Sequence, residues 1–373
     1  MGGSSALKTA VITTVGHNVG DDFVRAGILC LLGQVHESLP GEVELIHKHA
    51  PATAVYGLER IRSRRVSELV EPVARALHLR NRISAADLLV QSGAPIYWCH
   101  PGLAHCAENE WYQPLIRKRW ATDRRGRKLL NIAGGSCQHY HSDGSEVSQC
   151  AICKPYISAL FDICDLTILR DEVARAMLKH AGRDAPVLPC TSIFARDYFG
   201  VEPGEGEYIV LNYMEGAGHY RFDANIDAER WAQTFIKLAR EAARLGKVVL
   251  ACHDERELRL AQELLPDFET YAVPDDARRF MDFYARARFG VVNRVHSAFM
   301  LASLGKPAVV VGNDTRARMI SELGLTSVFV DDANDPAQLL QYVLDREDSY
   351  PEISDQIRHR SMEQYTELIA SAL

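Results

Sequence analysis

The chain has 373 residues, a formal net charge of −7 and nine cysteines. At roughly 100–200 residues per domain it has room for two domains, each with its own apolar core. No apolar run reaches the about 20 residues needed to cross a bilayer, and Met1 to Ser5 lead into no signal-peptide apolar region. The net charge, without a binding motif, argues against nucleic acid.

The expectation is a cytoplasmic protein that handles small molecules, and the composition is compatible with a homo-oligomer. Nine cysteines without a secretory signal point to thiols or metal ligands over a disulfide framework. Arg60, Arg62, Arg64 and Arg65, and then Arg117, Lys118, Arg119, Arg124, Arg125, Arg127 and Lys128, form local basic runs. Such runs are usually solvated faces; with the aromatic residues from Trp111 to Trp120 they permit an acidic glycan without requiring one.

Taken in chain order, apolar β-branched runs at 9–15, 87–91, 129–133, 166–169, 208–211, 248–251, 289–292 and 308–311 alternate with helical periodicity. Leu258, Ala261, Leu264 and Leu265 share one helix face behind the acidic start Asp254-Glu255. Near-continuous apolar strands separated by helices imply parallel sheets covered on both faces, hence an α/β, doubly wound fold. The polar, turn-forming stretch Val201-Glu202-Pro203-Gly204-Glu205-Gly206-Glu207 sets the expected boundary: residues 1–202 as one Rossmann-like domain and 203–373 as another, facing across a central cleft. The final helix, from about Glu352 to Leu373, is expected to pack back on the first domain.

Within the second half, Asn293-Arg294-Val295-His296 follows an apolar strand and opens a small-residue helix that ends at Gly305-Lys306-Pro307. Free N–H groups at a helix start favour an anion, and an arginine fork adds bidentate hydrogen bonds. A histidine there is suited to proton transfer near neutral pH. The alternative is a capping histidine beside a surface arginine. In the first half, Asn18, Gly20 and Asp21 form a strand-to-helix turn where glycine permits close backbone approach; a ligand contact and a plain βα turn both fit. His253-Asp254 occupies a similar strand end, with Asp254 read as a helix cap.

A cysteine-rich insertion, about 134–164, includes Cys137, His139, His141, Cys150, Cys153 and Cys164. Cys150 and Cys153 present two thiolates to one ion, and Cys137 with Cys164, or His139 or His141, would complete four. Zinc, a four-cysteine iron–sulfur cluster, and no metal with Cys164 buried as a small apolar residue all remain open. Trp98-Cys99-His100 and His105-Cys106 are further candidates to join them in space, with free thiols near a turn as the alternative.

Several pieces together resemble the polysaccharide pyruvyl transferases. They are Gly16-His17-Asn18-Val19-Gly20-Asp21-Asp22, Asp87 to Gly93, Leu169-Arg170-Asp171, Asn293 to His296, Gly305-Lys306-Pro307, and Asn313-Asp314-Thr315-Arg316 with Glu322-Leu323-Gly324-Leu325. The resemblance implies a fold similar to the two-domain GT-B glycosyltransferases. It also implies an activity that moves a pyruvyl group from phosphoenolpyruvate, as co-substrate, to two hydroxyls of a sugar or glycan-type acceptor. It places Arg294 and Val295 on the donor, His296 there as acid or phosphate ligand, and Arg170 as a second cation, for which a structural salt bridge is the alternative; the turn residues Asn18 and Gly20 are read as donor/anion-binding or acceptor contacts, with Asp21 as base.

The sequence departs from that family at the cysteine-rich insertion, at Leu188-Pro189-Cys190, where Pro-Asp-Pro is usual, and at Asn212 to His219. The departures leave open an NDP-sugar-dependent glycosyltransferase or other group transferase on the same fold, and also a metal-sensing binding module.

Overall fold

The structure is a computed structural model that describes residues 7–15, 18–35, 39, 41–48, 52–58, 60–61, 63–99, 127–218, 226–273 and 275–373. Of the residues named above, Met1, Ser5, Gly16, His17, Arg62, His100, His105, Cys106, Trp111, Arg117, Lys118, Arg119, Trp120, Arg124, Arg125 and His219 lie outside the described residues.

The first half contributes β1 (Lys8–Thr13), β2 (Glu42–His47), β3 (Leu88–Gln91), β4 (Pro95–Tyr97), β5 (Lys128–Ser136) and β6 (Leu166–Leu169). The second contributes β7 (Tyr208–Asn212), β8 (Val248–Ala251), β9 (Glu269–Tyr271), β10 (Ala287–Val292), β11 (Ala308–Gly312) and β12 (Thr326–Phe329). Every pairing in both sheets is parallel. Parallel neighbours need crossover helices, which bury both sheet faces, and this explains why the central strands read as unbroken apolar runs.

The second sheet runs β12-β11-β10-β7-β8-β9, the order of a dinucleotide-binding Rossmann sheet, which reverses direction between β7 and β10. The first sheet runs β2-β1-β3-β5-β4, and β6 also pairs with β5. Its order turns between β1 and β3. Both switch points open toward the same cleft at the carboxyl ends of the strands.

The eight runs read from the sequence all form strands, and β2, β4, β9 and β12 join them. Each of the four pairs with a single strand, and three of them are partly exposed: β2 carries Glu42 and Glu44, β9 begins at Glu269, and β12 is only partly buried. Edge strands keep one side in water and lose the apolar signature that marks a central strand.

One core cluster spans both halves, joining Phe23 and Ile28 of the Val19–Val35 helix to Ile193 and Phe194 and to Met300 and Tyr284. Gly27 makes the close approach possible, since a Cβ there would lie 1.7 Å from the Thr191 carbonyl oxygen. The closing helix Tyr350–Ala372 buries Tyr365 and Ile369 in the same cluster. Its Tyr365 hydroxyl donates to the Pro189 carbonyl at 2.9 Å, and Arg358 pairs with Asp197 at 2.6 Å.

A second seam lies on the other side of the cleft. The Ser136 and Thr315 hydroxyls meet at 2.8 Å, the Gln138 N–H donates to Thr315 Oγ1 at 3.0 Å, and the Thr315 N–H donates back to the Gln138 carbonyl at 2.9 Å. Among the described residues no helix is long and apolar enough to cross a membrane.

Candidate active site

The strand ends around both switch points enclose a cavity of about 280 Å³ lined from both halves, with Asn18, Gly20, Asp21 and Arg170 on one side and Arg294, Val295, His296 and Arg316 on the other. All seven of the catalytic and anion-binding residues expected from sequence therefore border one space.

Asn18 caps the Val19–Val35 helix: its Oδ1 accepts the Gly20 N–H at 3.1 Å and its carbonyl accepts the Asp21 N–H at 3.0 Å. Gly20 is required there, because a Cβ would fall 2.5 Å from His296 Nδ1. The first helix start thus abuts the second, Val295–Ser303, whose N-cap residue Arg294 supplies no side-chain cap. Orphan N–H groups and the positive end of the helix dipole face the cavity from that side.

Asn293 proves structural. Its side chain accepts the Met214 N–H at 2.7 Å and donates to the Val311 carbonyl at 2.7 Å, joining the ends of the central strands. Asn212 at the end of β7 accepts the Arg294 N–H at 2.8 Å and fixes the turn.

The cations of the cavity differ in what neutralises them. Arg294 lies against Asp254 at 2.5 Å and also pairs with buried Glu257, so two carboxylates already occupy the fork that sequence reasoning reserved for the ligand. Burial raises the Glu257 carboxyl, and the Arg294 charge opposes that shift. Arg316 is forked onto Asp314 at 2.6 Å and 2.9 Å, and Lys48 pairs with Asp21 at 3.2 Å.

Arg170 is different. It is 1% exposed, makes no ion pair among the described residues, leaves its Nε without a hydrogen-bond partner, and reaches only the Cys190 sulfur, 3.9 Å from Nη1. It is placed at the end of β6 by Asp171, which caps the following helix through the Ala174 N–H at 2.7 Å, as the sequence suggested.

His296 is partly buried, with Nε2 3.9 Å from Cys190 Sγ. Burial and the Arg170 charge push its pKa down, Asp21 opposes them, and Arg316 and Arg294 add to the fall, which ends at about 3. The ring is neutral at physiological pH: a hydrogen-bond donor and proton acceptor, and no reservoir of acid until an anion arrives. Burial would raise the Asp21 carboxyl, but the Lys48 and His296 charges hold it at about 2. An acid that strong has a weakly basic conjugate, so Asp21 is better suited to orient a group than to remove its proton.

Lys48 and Cys190 were not singled out as site residues from sequence. Lys48 follows an edge strand with no motif of its own, and Cys190 was noted only as a departure from Pro-Asp-Pro.

The cysteines regroup. Cys150 and Cys153 come together with Cys99, their sulfurs all within 4.8 Å of one another, and such a triad can hold a metal ion. Cys137 and Cys164, expected to complete the set, belong to no such group among the described residues. Cys137 is fully buried near Arg316 and Asp314, with burial pushing its thiol up to about 12; Cys164 donates to the Leu160 carbonyl at 3.2 Å at the end of its helix. Cys99 is one of the residues the sequence offered as joining the cluster in space, and the pairing of β4 with the end of β5 is what brings it to Cys150 and Cys153. Burial pushes the Cys150 thiol up, but N–H donation from Cys153 and Ile152 and contact with the Cys153 and Cys99 thiols bring it to about 7.

This architecture is the two-domain Rossmann-like fold of the GT-B class. The chain is similar to the S. aureus MnaA–UDP co-structure (TM-score 0.55, 14% identity, 93% of this chain and 90% of that one). It is similar also to a UDP-GlcNAc 2-epimerase from Neisseria meningitidis bound to UDP-GlcNAc (0.53, 10%, 98% and 99%). A third similar structure is a UDP-GlcNAc 2-epimerase from Methanocaldococcus jannaschii in complex with UDP-GlcNAc and UDP (0.51, 11%, 95% and 99%). No family model and no curated protein sequence matches the chain, so the pyruvyl transferase family is not shown. Identities this low establish the fold alone.

Proposed function

We propose that the cleft binds a phosphorylated, activated donor, a nucleoside-diphosphate sugar in the first instance, and that the protein is a group transferase acting on sugar-type substrates. The observation that carries this reading is Arg170, a buried guanidinium with no carboxylate partner among the described residues. Burying a charge without a counter-charge is costly, and the cost is recovered when an anion completes the site. The uncapped Val295–Ser303 helix faces the same cavity, as expected of a phosphate site at a Rossmann switch point. Structures of similar fold hold UDP or UDP-GlcNAc, which favours a nucleotide sugar.

In this reading Arg170 holds the phosphate, neutral His296 takes or returns a proton beside it, and Asp21, kept ionised by Lys48, orients the acceptor. Arg294 builds the wall through Asp254 and Glu257, and the division between domains falls at 202–203.

A second reading, pyruvyl transfer from phosphoenolpyruvate, is favoured by the order of motifs from Asn18 to Arg316. The cavity of about 280 Å³, at the small end of ligand sites, also suits a compact polyanion.

Thermal unfolding in the presence of UDP-GlcNAc, UDP or phosphoenolpyruvate separates the two. A ligand at 100 times its Kd stabilises the folded protein by about 2.7 kcal/mol. Stabilisation by the UDP compounds supports the first reading, and by phosphoenolpyruvate alone the second. Indifference to all three, with collapse on chelation, would leave the metal-sensing module.

A further inference from the structure

Cys99, Cys150 and Cys153 come from two stretches far apart in sequence, yet their sulfurs lie within 4.8 Å of one another. Cys99 follows β4 and is held by a two-pronged clamp: its N–H donates to Gln138 Oε1 at 2.8 Å and its carbonyl accepts from Gln138 Nε2 at 2.7 Å. Cys150 and Cys153 flank the start of the Cys153–Ile163 helix, and the Cys153 N–H donates to Cys150 Sγ at 3.4 Å. Cys99 and Cys153 belong to the same apolar cluster as Val147, Tyr156, Ile157 and Leu160, and partly buried Cys150 packs against it.

Zinc–thiolate bonds of about 2.3 Å in a tetrahedron place sulfurs about 3.8 Å apart, so side-chain adjustments of about 1 Å close this triangle on one ion. Sulfurs that converge on a single point suit a single soft ion, whereas a multi-iron cage holds its ligands farther apart.

We infer that Cys99, Cys150 and Cys153 bind one zinc ion as three thiolate ligands, in a site that fastens the cysteine-rich insertion to the end of β4. Three protein sulfurs leave one corner of the tetrahedron to a further donor. The site reaches the cleft through Gln138, whose main chain is bonded in both directions to Thr315, between the cavity residues Asp314 and Arg316. Zinc here is structural support for that wall, independent of which donor the cleft takes.

The test is elemental analysis of the full-length protein purified without chelator, joined to zinc-edge X-ray absorption. The expected result is about one zinc per chain with three sulfurs at about 2.3 Å. Cys99→Ser, Cys150→Ser and Cys153→Ser each lower zinc content several-fold, while Cys137→Ser and Cys164→Ser keep it. If the serine variants do not fold, the wild-type protein still decides: mercurial titration of its thiols should release zinc stoichiometrically. Iron with visible absorption, a metal-free protein with freely titrating thiols, a Cys150–Cys153 disulfide detected by mass, or zinc lost only on changing Cys137 or Cys164 would each overturn the assignment.

Discussion

Replacing Arg170 by methionine separates a residue kept for binding from one kept for folding. The guanidinium is 1% exposed and, among the described residues, hydrogen-bonds to the Cys190 sulfur at 3.9 Å and forms no ion pair with a carboxylate. Exchanging such a charge for an apolar side chain of similar length is commonly neutral or stabilising for the fold. Removing one member of a buried, hydrogen-bonded charge pair in a complex costs about 2–5 kcal/mol, equivalent to roughly 30-fold to a few thousand-fold in affinity.

The expected signature of Arg170→Met is therefore an unchanged or higher Tm without ligand and a loss of most of the thermal shift with the donor, quantified by calorimetric titration. Arg170 is also the largest charge acting against protonation of His296, so the imidazole pKa should climb from about 3 toward its usual range in the variant, visible by NMR titration. A variant that melts several degrees earlier yet binds donor normally would refute the reasoning, since it would make Arg170 a structural residue.

Other consequences follow from the same electrostatics and packing. Because His296 titrates at about 3 in the fold against an ordinary 6.5, the folded state resists a proton that the unfolded chain accepts. Stability present above 6.5 is lost as pH falls toward about 3. At about pH 5 the loss is at most about 2 kcal/mol, and urea unfolding should show it flattened in His296→Gln. Asp21 has a depressed pKa, so its contribution is present above about 4 and lost as pH falls through about 2. Lys48→Met should raise that pKa and cost about 1–2 kcal/mol near neutral pH, read by denaturant midpoint. Gly27→Ala sets a Cβ 1.7 Å from the Thr191 carbonyl oxygen, and chemical denaturation should register a loss of about 3 kcal/mol or more, or no folded protein.

The central strands were legible because burial on both faces writes itself as continuous valine, isoleucine and leucine. The edges β2, β9 and β12 were not, because glutamates and half-exposed positions interrupt that pattern. Arg170, Arg294 and His296 were legible as strand-end residues, but their division of labour was not. Whether a guanidinium is free depends on Asp254 and Glu257 reaching Arg294 from the start of the helix after β8, two strands away in the sheet, a pairing with no short-range sequence signal. The same holds for the thiols: the spacing of Cys150 and Cys153 is local, whereas Cys99 joins them only because β4 pairs with the distal end of β5.

The hydrogen bonds from Ser136 and Gln138 to Thr315 continue in Tyr140, whose hydroxyl meets Ser327 at 2.9 Å, and in Arg318, which donates to the Tyr140 and Ser142 carbonyls at 3.1 Å and 2.7 Å. Together with the shared core under the closing helix, they bolt the two halves at both flanks of the cleft. A wide clamshell opening would have to break these contacts in concert, at about 1 kcal/mol each before any apolar surface is exposed. Ligand exchange then becomes a matter of side-chain displacement at the rim, with the halves kept in fixed register.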